Sequence, residues 1–96
     1  MAMSDIPDDV WKKGTISPGE KTGGKDFRKD ACGAWIGHDA YGDRDSKYGW
    51  EVDHINPNGG DDLNNLRPLH WKNNVAKSDG KTECPVTSSG YTNVGI

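Results

Sequence analysis

Residues 50–80 read WEVDHINPNGGDDLNNLRPLHWKNNVAKSDG. The first six alternate, with Trp50 and Val52 on one side and Glu51 and Asp53 on the other. That pattern predicts a short strand with one buried face. Asn56-Pro57-Asn58-Gly59-Gly60 is turn chemistry, because Pro fixes φ while Asn and Gly tolerate positive φ. The chain returns as a second short strand near Leu66. From His70 to Ser78 there is neither Gly nor Pro, Trp71 stands four before Val75, and Gly80 follows. This predicts a helix over 70–78 with Gly80 as its C-terminal stop. Strand, loop, strand and helix in that order make an α+β unit.

Outward from this stretch the signals weaken. Residues 26–50 carry Phe27, Trp35, Ile36, Tyr41, Tyr48 and Trp50 at spacings that fit neither helix nor strand, so short elements and tight turns are expected. Residues 1–25 hold two Pro and four Gly, which predicts a loop-rich arm with one short helical turn near Asp8–Lys13. Residues 81–96 read as a weakly ordered tail. The whole chain has 96 residues, 31% hydrophobic and 28% charged, with a net charge of −3. It is long enough for one domain with a modest core. No apolar run approaches the roughly 20 residues of a membrane span, so no membrane partner is expected. There is no C-x-x-C pair and no secretory signal pattern, which predicts a cytoplasmic protein with Cys32 and Cys84 as free thiols.

Chemistry concentrates on Asp53, His54, Asn65, His70 and Asn74. An ideal strand aims Asp53 and His54 at opposite faces, but at an irregular strand end both can serve one site. On a helix His70 and Asn74 share a face. A neutral His can take a proton from water near neutral pH. A carboxylate and a carboxamide can hold a cation while leaving positions for phosphate and water, and oxygen ligands favour Mg²⁺ or Mn²⁺. Participation by His70 would shift that preference toward Ni²⁺ or Zn²⁺. A calcium EF-hand over the Gly-rich loop fails: starting at His54, position twelve is Asn65 where Glu is needed.

The ordered pattern D-H, Pro and Gly-Gly loop, N-L, N-x-x-K over residues 50–80 resembles the HNH endonuclease family. The upstream RKDACGAWI and YGDRDSKYGW are similar to segments of its small phage and bacterial members. The resemblance implies a ββα-metal (His-Me finger) core within a nuclease domain spanning 26–80. It implies a divalent-metal-dependent endonuclease that nicks double-stranded DNA through backbone contacts, with weak sequence specificity. In that scheme His54 is the general base and Asn65 orients it through its backbone carbonyl. Asp53 and Asn74 ligate the metal, with His70 as a further candidate ligand. Lys77 touches a phosphate oxygen, and Glu51 falls on a common acidic position beside the substrate. Many relatives carry a second, structural zinc. Here its positions correspond to Lys29, Cys32, His70 and Asn73, a set that cannot build it, so packing by Trp35, Trp50 and Trp71 is expected to stabilise instead. A non-catalytic, metal-stabilised nucleic-acid-binding module is the alternative. Lys12, Lys13, Lys25, Arg28 and Lys29 read equally as a DNA-facing arm or a solvated surface, and His38 as a solvated loop residue.

Overall fold

The computed structural model describes residues 5–78 and 80–96. In chain order the elements are α1 (Asp8–Trp11), β1 (Phe27–Lys29), β2 (Trp35–Gly37), β3 (Trp50–His54), β4 (Leu66–His70), α2 (Trp71–Val75), β5 (Thr87–Ser89) and β6 (Thr92–Val94). Single 3₁₀ turns fall at His38–Ala40 and Leu63–Asn65. The strands pair as three antiparallel two-stranded sheets, β1–β2, β3–β4 and β5–β6. The architecture is thus a small α+β arrangement.

The alternating stretch becomes β3, and the return near Leu66 becomes β4. Their register sets Trp50 opposite His70, Asp53 opposite Arg67 and His54 opposite Leu66. Pro68 is tolerated in β4 because a two-stranded sheet always leaves an edge. α2 follows without a loop and packs on both strands. Trp50, on one face, is fully buried with Val10, Trp11 and Ile36, and Ile6, Tyr41, Val52 and Leu66 pack around them. Burying each such side chain contributes about 1.5–3 kcal/mol. The N-terminal arm therefore supplies half of this core cluster, and Trp11 Nε1 donates to the Gly24 carbonyl at 3.2 Å.

Three expectations are corrected. The helix is Trp71–Val75, not 70–78: Lys77 turns toward β3, and Ser78 bridges to Lys81 around Gly80, whose φ is +77°. The stretch 81–96 is no weakly ordered tail. It forms the β5–β6 hairpin, Val86 is fully buried, and the Asn93 side chain takes the Trp35 N–H at 2.7 Å and donates to its carbonyl at 2.9 Å. Tyr91 stacks on Trp35 with ring centres 5.7 Å apart. Finally, Cys32 and Cys84 are joined in a disulfide across 52 residues of sequence, so the free-thiol expectation fails. Among the described residues no helix is long and apolar enough to cross a membrane.

Candidate active-site cleft

Asp53, His54 and Asn74 open onto one cleft of about 350 Å³, with Val52, Pro57, Lys77 and Gly80 as its other walls. Asp53 and His54 are the last two residues of β3, paired in register with Arg67 and Leu66, and His54 meets Lys77 through its backbone carbonyl. Larger clefts lie elsewhere, one walled by Phe27, Trp35, Tyr48 and Tyr91. None of the candidate catalytic or ligating residues lines that one.

His54 Nε2 lies 2.7 Å from Asp61 Oδ1, in the Gly-rich loop. An ionised carboxylate only accepts, so a neutral ring carries its proton on Nε2 and keeps Nδ1 as the basic nitrogen. The expected orienting contact from the Asn65 carbonyl is not made; that oxygen accepts the Ile55 N–H at 2.8 Å. Asn65 acts through its side chain instead. Its Oδ1 accepts the Asn56 N–H at 3.0 Å, and Nδ2 donates to the carbonyls of Asn56 at 3.0 Å and Gly60 at 2.8 Å. These bonds fix the loop that delivers Asp61. Gly59 must stay small here, since an added Cβ would sit 2.6 Å from Asn65 Nδ2.

Asp53 is 3% exposed and both of its oxygens are engaged. Arg67 Nε lies 2.7 Å from Oδ2 and Lys77 Nζ 2.7 Å from Oδ1. Lys77 also donates to the His54 carbonyl at 2.7 Å. So Lys77 does not point outward as a free phosphate contact. Arg67 was missed by sequence reasoning; it faces Asp53 directly across the sheet, a relation visible only once the register is known.

Glu51 is not free for substrate either. Arg44 grips it through Nε at 2.7 Å and Nη2 at 3.0 Å, and Asn74 Nδ2 donates to it at 3.0 Å. The Arg44 hydrogen bonds, offset in part by burial and reinforced by Asn74, hold the Glu51 carboxyl below its usual pKa. With Asn74 Nδ2 turned to Glu51, its Oδ1 is the atom left for a ligand.

His70 does not belong to the site. With φ −51° and ψ 139° it stands before α2 rather than on it, and its Nδ1 accepts the Lys72 N–H as an N-cap at 3.2 Å. Its Nε2 faces the Lys47 carbonyl at 2.8 Å. Both ring nitrogens are taken, and burial pushes its pKa down. A ring so placed cannot ligate a cation, which removes the argument for Ni²⁺ or Zn²⁺.

Around Cys32, His70 and Asn73, Asp30 provides the junction. Its Oδ1 accepts the N–H groups of Cys32 at 2.9 Å and Ala34 at 2.8 Å. Its Oδ2 accepts His70 N–H at 2.9 Å and Asn73 Nδ2 at 3.1 Å. Asn73 in turn exchanges hydrogen bonds with the backbone of Val86, at 2.9 and 2.8 Å. Together with the disulfide, this network stabilises the region; of the Trp side chains expected to do so, Trp71 stacks on His70 and Trp35 lies under the Lys29 ammonium, while Trp50 packs in the core.

Two of the five basic residues of the arm are tied to the backbone. Lys13 Nζ donates to the Leu63 carbonyl at 2.6 Å and to that of Leu66, and Arg28 donates to the carbonyls of Gly24, Lys12 and Gly14. His38 is not a simple solvated residue. Its Nε2 lies 2.5 Å from Asp8 Oδ1, its Nδ1 2.7 Å from Asp39 Oδ1, and Trp11 meets it edge-on.

Among the described residues no three His, Cys, Asp or Glu groups come together to hold a metal ion. The donors at the cleft are one carboxylate and one carboxamide. Such a set makes no dedicated cage; a cation such as Mg²⁺ would have to displace Arg67 or Lys77 from Asp53 and keep most of its shell as water. A scan against protein-family models, a search of curated proteins and a search of solved structures gave no match.

Proposed function

We propose that this chain is a DNA endonuclease of the HNH type, with β3, β4 and α2 as a ββα-metal core. It hydrolyses phosphodiester bonds of double-stranded DNA, nicking with low sequence specificity because these 96 residues offer little surface for base readout. The observation that carries the proposal is the convergence of Asp53, His54 and Asn74 on one cleft, with a carboxylate on the far nitrogen of His54.

In this mechanism the DNA backbone lies over the cleft. His54 Nδ1 takes the proton from a water aimed at phosphorus, and Asp61 fixes the ring and steadies the imidazolium that forms. Asn65 acts as a positioning residue, holding the loop that carries Asp61. Asp53 and the Asn74 carboxamide oxygen would hold Mg²⁺ or Mn²⁺, with Glu51 keeping the Asn74 amide turned the right way. When bound, the ion supplies charge neutralisation at the phosphate and at the departing oxygen.

A second function draws on one specific observation. The saturation of Asp53 by Arg67 and Lys77 suits a non-catalytic nucleic-acid-binding module on the same scaffold. Nicking of supercoiled plasmid in Mg²⁺ or Mn²⁺, with and without EDTA, separates the two. Wild-type protein should nick only with free metal. His54→Ala should still bind DNA while nicking slower by on the order of 10²–10⁴-fold, the usual worth of a general base. Plasmid that stays supercoiled in either metal, yet is retarded on a gel by the wild-type protein, would favour the binding module instead.

A further inference from the structure

The two cations on Asp53 come from different elements and each has a second partner, which for Lys77 Nζ is the His54 carbonyl at 2.7 Å. Arg67 is opposite Asp53 in the sheet, and its Nη2 donates to Thr82 Oγ1 at 2.5 Å, so it is fixed at both ends. Lys77 lies beyond the end of α2, reaches Asp53 on a four-carbon stem, and walls the open cleft. An ammonium on such a stem is a compact charge with rotatable donors, able to leave one anion for another. The Asp53 side chain is 3% and that of Lys77 11% exposed, so their attraction is not screened as a surface pair's is. A divalent ion on Asp53 would stand within a few ångströms of the Lys77 ammonium, where like charges repel strongly.

We infer that Lys77 is the resident counter-ion of Asp53, that it competes with a divalent cation for this carboxylate, and that a substrate phosphate draws it away. Metal and DNA backbone then bind cooperatively. The inference rests on the endonuclease proposal for the identity of the two ligands. By linkage, whatever factor DNA adds to metal affinity, metal adds equally to DNA affinity. The ammonium thus takes up the role expected of Lys77 from the motif, but only after the phosphate has arrived.

The test is Mn²⁺ titration by calorimetry in a His54→Ala background, which keeps DNA intact. It is run alone and with a short DNA duplex, with the heats of duplex and Mn²⁺ subtracted. The parent should bind Mn²⁺ weakly alone and roughly 5–150-fold more tightly with duplex, the common range of such coupling. Lys77→Met keeps the stem and deletes the charge. It should bind Mn²⁺ more tightly than the parent without DNA, and duplex should raise its affinity by a clearly smaller factor than it raises the parent's. Lys77→Arg, which keeps the charge, should retain weak binding without DNA. Should Lys77→Met melt at the assay temperature, Lys77→Gln takes its place with the same expectation. Equal or weaker Mn²⁺ binding in the uncharged variant, undiminished coupling to DNA, or no Mn²⁺ binding by any variant overturns the inference. Tighter binding by Lys77→Met in a protein whose wild type fails to nick leaves the competition standing and removes the nuclease. Nicking without that tightening does the reverse.

Discussion

Replacing Asp30 by Ala should be among the most damaging single changes in this chain. The carboxylate accepts four hydrogen bonds, from the backbone of Cys32, Ala34 and His70 and from the Asn73 side chain. Ala34 and His70 are fully buried, so their N–H groups have no water to turn to. An unsatisfied buried donor costs about 1–3 kcal/mol, which puts the two at roughly 2–6 kcal/mol before the loss at Asn73 is added. Set against the roughly 5–15 kcal/mol that holds a typical domain together, that is a large share. Asp30→Asn keeps an acceptor for one pair of donors but turns an NH₂ toward the other, so it should fall in between. Urea unfolding of the oxidised protein, followed by Trp fluorescence and extrapolated linearly, measures the difference. An Asp30→Ala protein within about 0.5 kcal/mol of wild type, at an unchanged slope, would refute the idea that this carboxylate organises the junction.

Two further predictions concern the whole fold. The disulfide spans 52 residues, and the chain-entropy relation gives about 4 kcal/mol for a loop of that size; the Cys32→Ser, Cys84→Ser double variant should unfold at correspondingly lower urea, and no shift would show that the bond constrains nothing. For His38, burial of the ring lowers its pKa, but the carboxylates of Asp8 and Asp39 outweigh that and raise it above 6.5. Its contribution to stability is therefore fully present below pH 6.5 and lost as pH rises through the elevated value. His38→Gln should cost up to about 1 kcal/mol at pH 6 and less at pH 8.5; an equal cost at both values would contradict the assigned sign.

What could be read from residues alone was what local chemistry determines. The alternation at Trp50–Asp53, the Pro and Gly loop and the return at Leu66 appear where their short-range patterns put them, and a helix follows, shorter at both ends than the expected 70–78. The misses share a different cause: each depends on a partner far along the chain. Nothing within 81–96 signals order, because Val86 is buried by Asn73 and its neighbours and Asn93 pairs with Trp35. The helix end was hidden because Lys77 answers to Asp53, 24 residues earlier. His70 looked like a ligand because four-residue spacing presumes a helix that at His70 has not yet begun. Arg67 and Asp61 carried no motif at all, and only register and loop geometry place them beside Asp53 and His54.

The Asn73–Val86 exchange bears on the order in which the protein can be made. A ribosome delivers Trp50 to Lys77 before it delivers Val86, so for a time the strands and helix of the cleft exist without the backbone that Asn73 grips. The Asp30 junction is then missing one of its anchors, and Trp35 still waits for Asn93. Domains generally fold as units once their parts are available. On that logic the nascent chain stays uncommitted until synthesis has passed Asn93, and a stalled or truncated product ending near Gly80 would present the cleft's residues without their final arrangement.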